Sequence, residues 1–200
     1  MLHSATTPSR RAHARTDALT RSPGLTGLLT GGLLLAATAL GAGLLPGPAA
    51  SQEAGEEVSF VSAEGADIGT ATLTSTPAGL LIELDLHDLT PESWHGFHIH
   101  ETGACDPGEG FKTAGGHFAG DATAHGFMVE GGPHVGDMPN QYVAADGTLK
   151  AQVLNTMAIL GGEQDNVSGR ALMLHGGADD YESQPSGAAG DRVACAVIPE

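Results

Sequence analysis

Positive charge is scarce in this sequence. The 200-residue chain carries eight lysines and arginines against 24 aspartates and glutamates, a formal net charge of −16. Four of the eight cations are arginines before residue 51, where only one acid occurs. The remainder therefore holds four cations against 23 anions, a net charge near −19. Nucleic acids and anionic membrane surfaces are poor partners for such a chain, because their affinity comes from neutralising phosphates. Aromatic residues are few (4%) while glycines number 30, which argues for loops and tight turns over a helix bundle. There is no convincing amphipathic helix pattern and no internal repeat. Only two cysteines occur, Cys105 and Cys195, enough for a single internal disulfide. The length suits one domain with a substantial core.

The N-terminal segment reads as a targeting sequence. Arg10, Arg11, Arg15 and Arg21 lie among small polar residues, the uncharged run Leu25–Leu45 follows, and PGPAAS leads into an acidic stretch. A basic lead, an apolar run and small residues describe an export signal over residues 1–50, with removal near Ala49–Ser51. The run Leu25–Leu45 is also long enough to span a bilayer, so an uncleaved membrane anchor is the alternative. No cysteine lies beside it, which argues against a lipid anchor of the bacterial lipoprotein kind. Both readings place residues 51–200 outside the cytoplasm, in a periplasmic or extracellular setting where a disulfide persists.

From Glu57 onward the pattern is one of short strands separated by turn signals. Val58–Ala63, Ile68–Ser75, Leu80–Leu86 (alternating apolar and acidic as LIELDL), Trp94–His100, Tyr142–Ala144, Thr148–Leu154, Arg170–His175 and Arg192–Ile198 are the expected strands. Ala145-Asp146-Gly147 is a hairpin signal. Seven or eight such strands predict an all-β sandwich or barrel. Two long segments read as loops, Glu101–Gln141 and Gly176–Asp191, and loops of that length in a compact domain are usually functional.

The stretch around the first loop is dense in metal-ligating side chains. His98-Ile99-His100 is an H-x-H within a strand, and a period of two puts both imidazoles on one face with Ile99 directed into the core. His117, His125, His134 and Asp137 follow in glycine-rich sequence, and His175 ends a later strand. Imidazole suits zinc and copper, and one carboxylate among imidazoles is a common zinc ligand set. Seven such residues are enough for two metal ions. His87 and His95 fall outside this pattern and read as ordinary surface or strand histidines.

These motifs resemble the copper–zinc superoxide dismutase family, of the bacterial exported type. GFHIH, GGHF, HG, GPHVGD, LHGGADD and DRVACAVI occur in the family's order and nearly its spacing, over roughly residues 57–198. The resemblance implies a Greek-key β-barrel or sandwich of about eight antiparallel strands with two long functional loops. It also implies dismutation of superoxide to oxygen and hydrogen peroxide by copper redox cycling, with zinc as the structural and tuning metal. Carried over residue by residue, His98, His100, His117 and His175 hold copper, and His117, His125, His134 and Asp137 hold zinc. His117 then bridges the metals and takes and returns a proton. Asp179 links His98 to His125, Arg192 guides the anionic substrate, and Cys105 pairs with Cys195.

The second loop contains no lysine, although family members often place steering cations there, so Lys112 is the candidate for local steering. Members occur as monomers and as homodimers, and both remain open for this chain. The competing reading is a non-enzymatic extracytoplasmic copper- or zinc-binding protein of the same fold. Such a protein is expected to lose a copper ligand, the bridge or the arginine.

Overall fold

The computed structural model describes residues 55–200. The expected export or anchor run, Leu25–Leu45, and the expected boundary near residue 50 lie outside the described residues. Eight strands occur in chain order: β1 (Glu56–Ser62), β2 (Asp67–Thr76), β3 (Gly79–Leu86), β4 (Ser93–His100), β5 (Asp137–Val143), β6 (Leu149–Asn155), β7 (Ala171–His175) and β8 (Arg192–Val197). Among the described residues the only helical turns are two three-residue 3-10 turns, Pro107–Glu109 and Lys112–Ala114. None of their helices is long and apolar enough to cross a membrane.

The strands form one antiparallel sheet in the order β5-β4-β7-β8-β1-β2-β3-β6. The terminal strands β5 and β6 are consecutive in the chain and joined by a tight turn, Ala144 N donating to Thr148 O at 2.8 Å. That turn brings the sheet's two ends together and nearly closes the barrel. The β3-to-β4 and β6-to-β7 connections cross between non-adjacent strands, as in a Greek key.

Alternation decides which side chains fill the interior. On β3, Leu80, Ile82, Leu84 and Leu86 are buried while Glu83 and Asp85 face outward. Phe60, Leu73, Phe97, Ile99, Leu172 and Ala194 meet them in one apolar cluster. Each large side chain fully removed from water contributes about 1.5–3 kcal/mol.

A second, smaller apolar cluster lies on the outer face of β7 and β8. Ala171, Met173 and Cys195 pack there against Phe111 and Ala114 from the first loop. The Cys105–Cys195 disulfide fastens this layer, with Cα atoms 5.6 Å apart across a sequence separation of 90. The loop is thus a lid with its own core, and it buries strand residues that would otherwise meet water.

One boundary differs from expectation. The first loop was predicted to run to Gln141, whereas β5 begins at Asp137. Pro139 and two neighbouring polar residues hide the alternation, in which Met138 points into the core. Proline is tolerated here because β5 is the terminal strand of the sheet, hydrogen-bonded on one side alone.

Candidate metal centre

β4 carries the first two histidines. Phe97 and Ile99 point into the barrel and His98 and His100 point out, yet both histidines are fully buried because the two loops cover that face. The first loop returns along the end of β4, where His117 sits opposite His100 in an isolated antiparallel bridge. Phe118 N donating to Ile99 O at 2.8 Å and Glu101 N to Gly116 O at 3.0 Å hold that return. In the sheet, His98 lies opposite Asp137 on β5 and Met173 on β7, and His175 ends β7.

Hydrogen bonds fix most of the ring orientations. The His98 Nε2–H donates to Asp179 Oδ2 at 2.8 Å, and the His125 Nε2–H to Asp179 Oδ1 at 3.1 Å. His100 donates from Nδ1 to Gly115 O at 3.0 Å, and His175 from Nδ1 to Gly190 O at 3.3 Å. These bonds leave lone pairs on His98 Nδ1, His100 Nε2 and His175 Nε2, and on His125 Nδ1, which faces Asp137. His117 differs from these four, since neither of its ring nitrogens donates to a main-chain carbonyl or to Asp179. Its Nδ1 is 3.0 Å from Asp137 Oδ1 and its Nε2 is buried without a partner.

Two groups of ligand atoms result. Atoms from His98, His100, His117 and His175 lie within 4.8 Å of one another, as do atoms from His98, His117, His125 and Asp137. The second group contains His98 where the sequence reading placed His134. Proximity explains this: the His98 and His117 rings stack with centroids 4.0 Å apart. With Nε2 committed to Asp179, His98 has a single free nitrogen and cannot serve both groups. His134 approaches from the other side, its Nδ1 3.5 Å from Asp137 Oδ1.

The donors fit metals on three counts. First, the nitrogens around Asp137 Oδ1 stand at 3.0, 3.0 and 3.5 Å. Ligands about 2.0–2.1 Å from a tetrahedral ion are separated from one another by about 3.3 Å. Second, His98 Nδ1, His117 Nε2 and His134 Nδ1 are buried with no hydrogen-bond partner, a costly arrangement unless a cation satisfies them. Third, the donor chemistry, imidazole with one carboxylate, is that of copper and zinc.

Burial keeps His98, His100 and His175 free of extra protons. Burial lowers the His98 pKa to about 4 and the His175 pKa to about 3; for His100, burial and then the charge of His117 lower it to about 2. At neutral pH these imidazoles are uncharged. Burial would raise the Asp137 carboxyl, but bonds from the His117 ring and the Gly126 and His134 amides outweigh it and hold the group ionised. Asp179 is likewise lowered to about 2, burial being overcome by bonds from His98, Tyr181 N and His125.

A cavity of about 250 Å³ leads to the first group, lined by His100, His117, His175 and Arg192 with Pro185 and Ser186. Arg192 is held as a fork, Nη1 donating to Phe111 O and Nη2 to Gly115 O, both at 2.6 Å. Gly115 O thus accepts from both Arg192 and His100. Lys112 is exposed on the turn between those two carbonyls and is not among the cavity's lining residues.

Of the two histidines set aside, His87 is exposed and pairs with Asp88. His95 is buried, with Nδ1 2.5 Å from His175 O and Nε2 2.7 Å from Ser93 Oγ, so it grips the main chain of the last cavity histidine. Sequence reasoning gave it no such task. Asn140 and Gln184 were also passed over, although both bond the site's main chain. Nothing in their local sequence marks them, because their partners lie 39 and 59 residues away.

Comparison with known proteins agrees with this geometry. Residues 68–198 match the family model described as copper/zinc superoxide dismutase. Superoxide dismutase [Cu-Zn] 2 of Aquifex aeolicus is 41% identical over 178 residues, covering 87% of this chain and 98% of the relative. Superoxide dismutase [Cu-Zn] of Caulobacter vibrioides is 39% identical over 68% of this chain and 80% of its own length. Among solved structures, a SOD-like protein from Bacillus subtilis superposes with a TM-score of 0.69 at 36% identity, over 73% of this chain and 99% of that one. The Cu/Zn superoxide dismutase from Brucella abortus gives 0.59 at 32% identity, over 72% of this chain and 98% of that one. The chain belongs to the copper/zinc superoxide dismutase family.

Proposed function

We infer that the protein is a superoxide dismutase, converting two superoxide ions and two protons into oxygen and hydrogen peroxide with copper and zinc as its metals. The observation that carries this reading is His117. Its ring donates to neither a carbonyl nor Asp179 and sits between two groups of donor atoms, one of which opens into a cavity walled by an arginine.

His98 Nδ1, His100 Nε2, His117 Nε2 and His175 Nε2 would hold copper. His117 Nδ1, His125 Nδ1, His134 Nδ1 and Asp137 Oδ1 would hold zinc, a closed set of four with no open position, as suits a structural ion. Copper, when bound, supplies the one-electron couple that one superoxide reduces and the next reoxidises. The chain's own residues do the rest. Arg192, fixed by two carbonyls, presents a permanent positive charge and free donors to a small anion entering the cavity. His117 Nε2 takes a proton when it is free and gives it to the forming peroxide. Asp179 holds the rings of His98 and His125 by their Nε2 atoms, and so keeps the two halves in register. Lys112, beside the Arg192 cradle, adds local attraction for the substrate against the field of an acidic domain.

Residues 1–50 act in this reading as an export signal or anchor, and residues 51–200 as the catalytic domain in a periplasmic or extracellular setting. The disulfide supports that placement. A storage or delivery protein of the same fold would have no use for Arg192 in the cavity wall. The test is superoxide decay catalysed by protein loaded with one copper and one zinc, beside Arg192→Ala and His98→Ala. Rapid decay that falls in both variants is expected. Decay no faster than that of the variants, despite bound copper, would overturn the reading.

A further inference from the structure

The second loop, residues 176–191, forms part of the cavity wall, yet it contains no strand or helix and few large apolar side chains to fasten it. Main-chain bonds from Gly96 N to Gly177 O and from Met128 N to Tyr181 O and the Asp179 carboxylate tie it down, and two side-chain amides add to these, each pairing with a peptide on another segment. Asn140, on β5, donates from Nδ2 to Asp179 O and accepts from Asp179 N, both at 2.8 Å. Gln184, on the loop, accepts from His125 N at 2.8 Å and donates to His125 O at 2.8 Å. Each pair copies the two-point bonding of neighbouring β-strands. The first secures the start of the loop to the sheet. The second secures its middle to the main chain of a histidine in the zinc group.

The positions that follow give this second pair its consequence. Pro185 and Ser186 come directly after Gln184 and line the cavity. Gly187 follows, its amide donating to Ser183 O at 2.6 Å. The His125 ring is meanwhile held through Nε2 by Asp179 and faces Asp137 through Nδ1 at 3.0 Å. The loop therefore grips His125 twice, at its ring through Asp179 and at its backbone through Gln184, while the ring's other nitrogen faces Asp137. Whatever fixes the ring also fixes the peptide to which Gln184 is bonded.

We propose that Gln184 is a positioning residue that couples zinc binding at His125 to the order of the cavity wall at Pro185–Ser186. Zinc at the His117–His125–His134–Asp137 group steadies the His125 main chain. Through Gln184 this steadies the wall against which superoxide enters the copper half. Coupling of this kind is reciprocal, so loosening the wall must weaken zinc retention. The inference rests on the dismutase reading for the identity of the metal, and its readouts do not depend on dismutation.

Gln184 is exposed, which makes it a clean probe. An ordinary surface glutamine can be replaced with little effect on folding. Gln184→Met keeps the side chain's length and removes both bonds to His125. Gln152→Met is the control; Gln152, on β6, is also exposed and bonds Glu83 on the neighbouring β3 at 2.6 Å. With metal-loaded protein, zinc transfer to a chromogenic chelator and amide hydrogen exchange at Gly187 and Ala189 are measured, with and without zinc. In the unsubstituted protein, removing zinc is expected to speed exchange at both amides. Gln184→Met with zinc bound should exchange as the zinc-free protein does and release zinc about tenfold faster, in the range for partners that orient a ligand. Gln152→Met should match the unsubstituted protein. Zinc release from Gln184→Met at the control's rate, or exchange at Gly187 and Ala189 indifferent to zinc, would overturn the proposal. Intact coupling without superoxide decay would instead count against the dismutase reading alone.

Discussion

Gly187→Ala is the substitution with the largest expected effect for the smallest change. Gly187 has φ +67°, in the left-handed region, and a Cβ built there would overlap the Asp179 carboxylate and press on His125 Nε2. Two costs follow. A left-handed conformation costs an L-residue about 1–2 kcal/mol. The overlap adds to this, because Asp179 must withdraw from bonds to His98 Nε2, His125 Nε2 and Tyr181 N. Losing even one buried bond to a charged group costs about 1.5–3 kcal/mol. The expected total is about 3–5 kcal/mol. Gly110→Ala separates the terms: Gly110 has φ +58° and no atom within 4 Å of its would-be Cβ, so only the conformational cost applies. For a domain of this size 1 kcal/mol lowers the melting temperature by about 2–4 °C. Calorimetry of metal-loaded proteins should then show Gly187→Ala about 10 °C below the parent and Gly110→Ala about 3–6 °C below. Zinc loss to chelator should accelerate in the first and not in the second. Equal shifts in the two variants, with equal zinc retention, would falsify the packing argument.

Three further outcomes are expected. Metal-free protein should lose stability as pH falls from 6.5 toward 4, because His98, His100 and His175 stay neutral in the fold while the unfolded chain takes up protons. Three such groups give a slope of up to about 4 kcal/mol per pH unit. Asp137 and Asp179, depressed in the fold, extend the loss below pH 4, and a urea midpoint constant between pH 7 and 5 would contradict the assignment. Reducing the Cys105–Cys195 bond should lower stability by about 4–5 kcal/mol on the chain-entropy model and release Phe111, whose carbonyl holds Arg192. Reduced, alkylated protein that keeps both its melting temperature and its rate would count against this. Lys112→Glu should slow dismutation at low ionic strength and make the rate rise more steeply with salt, since the domain already carries a net charge near −19. An unchanged rate at 10–20 mM salt (about 20–30 Å of Debye length) would remove Lys112 from the steering scheme.

Much of this molecule was legible in its sequence because its signals are periodic. Short β-like runs between turn signals located the strands, and the LIELDL run of β3 is the clearest: each inward leucine or isoleucine is separated from the next by one outward residue. H-x-H spacing placed His98 and His100 on one face, and the structure shows Ile99 in the core between them. The start of β5 escaped because Pro139 masks the period. Side chains that bond main chain across long sequence distances escaped for another reason. His95 reaches His175 O, Asn140 reaches Asp179 and Gln184 reaches His125, and none of these pairings has a local pattern. His134 shows the limit of distance alone, since the nearest neighbours in space put His98 in its place, although the one free nitrogen of His98 cannot belong to both groups.

The division of labour along β4 carries an evolutionary consequence. Phe97 and Ile99 tie the strand to the barrel from inside, while His98 and His100 face a layer built by the loops and the disulfide. A duplicated gene that mutated its outward histidines would still encode the barrel, because no ligand contributes to the interior cluster. Descendants of such a gene are free to keep the scaffold, redraw two loops and exchange one chemistry for another. Substitutions at Phe97 or Ile99, by contrast, would be removed by selection whatever the descendant came to do.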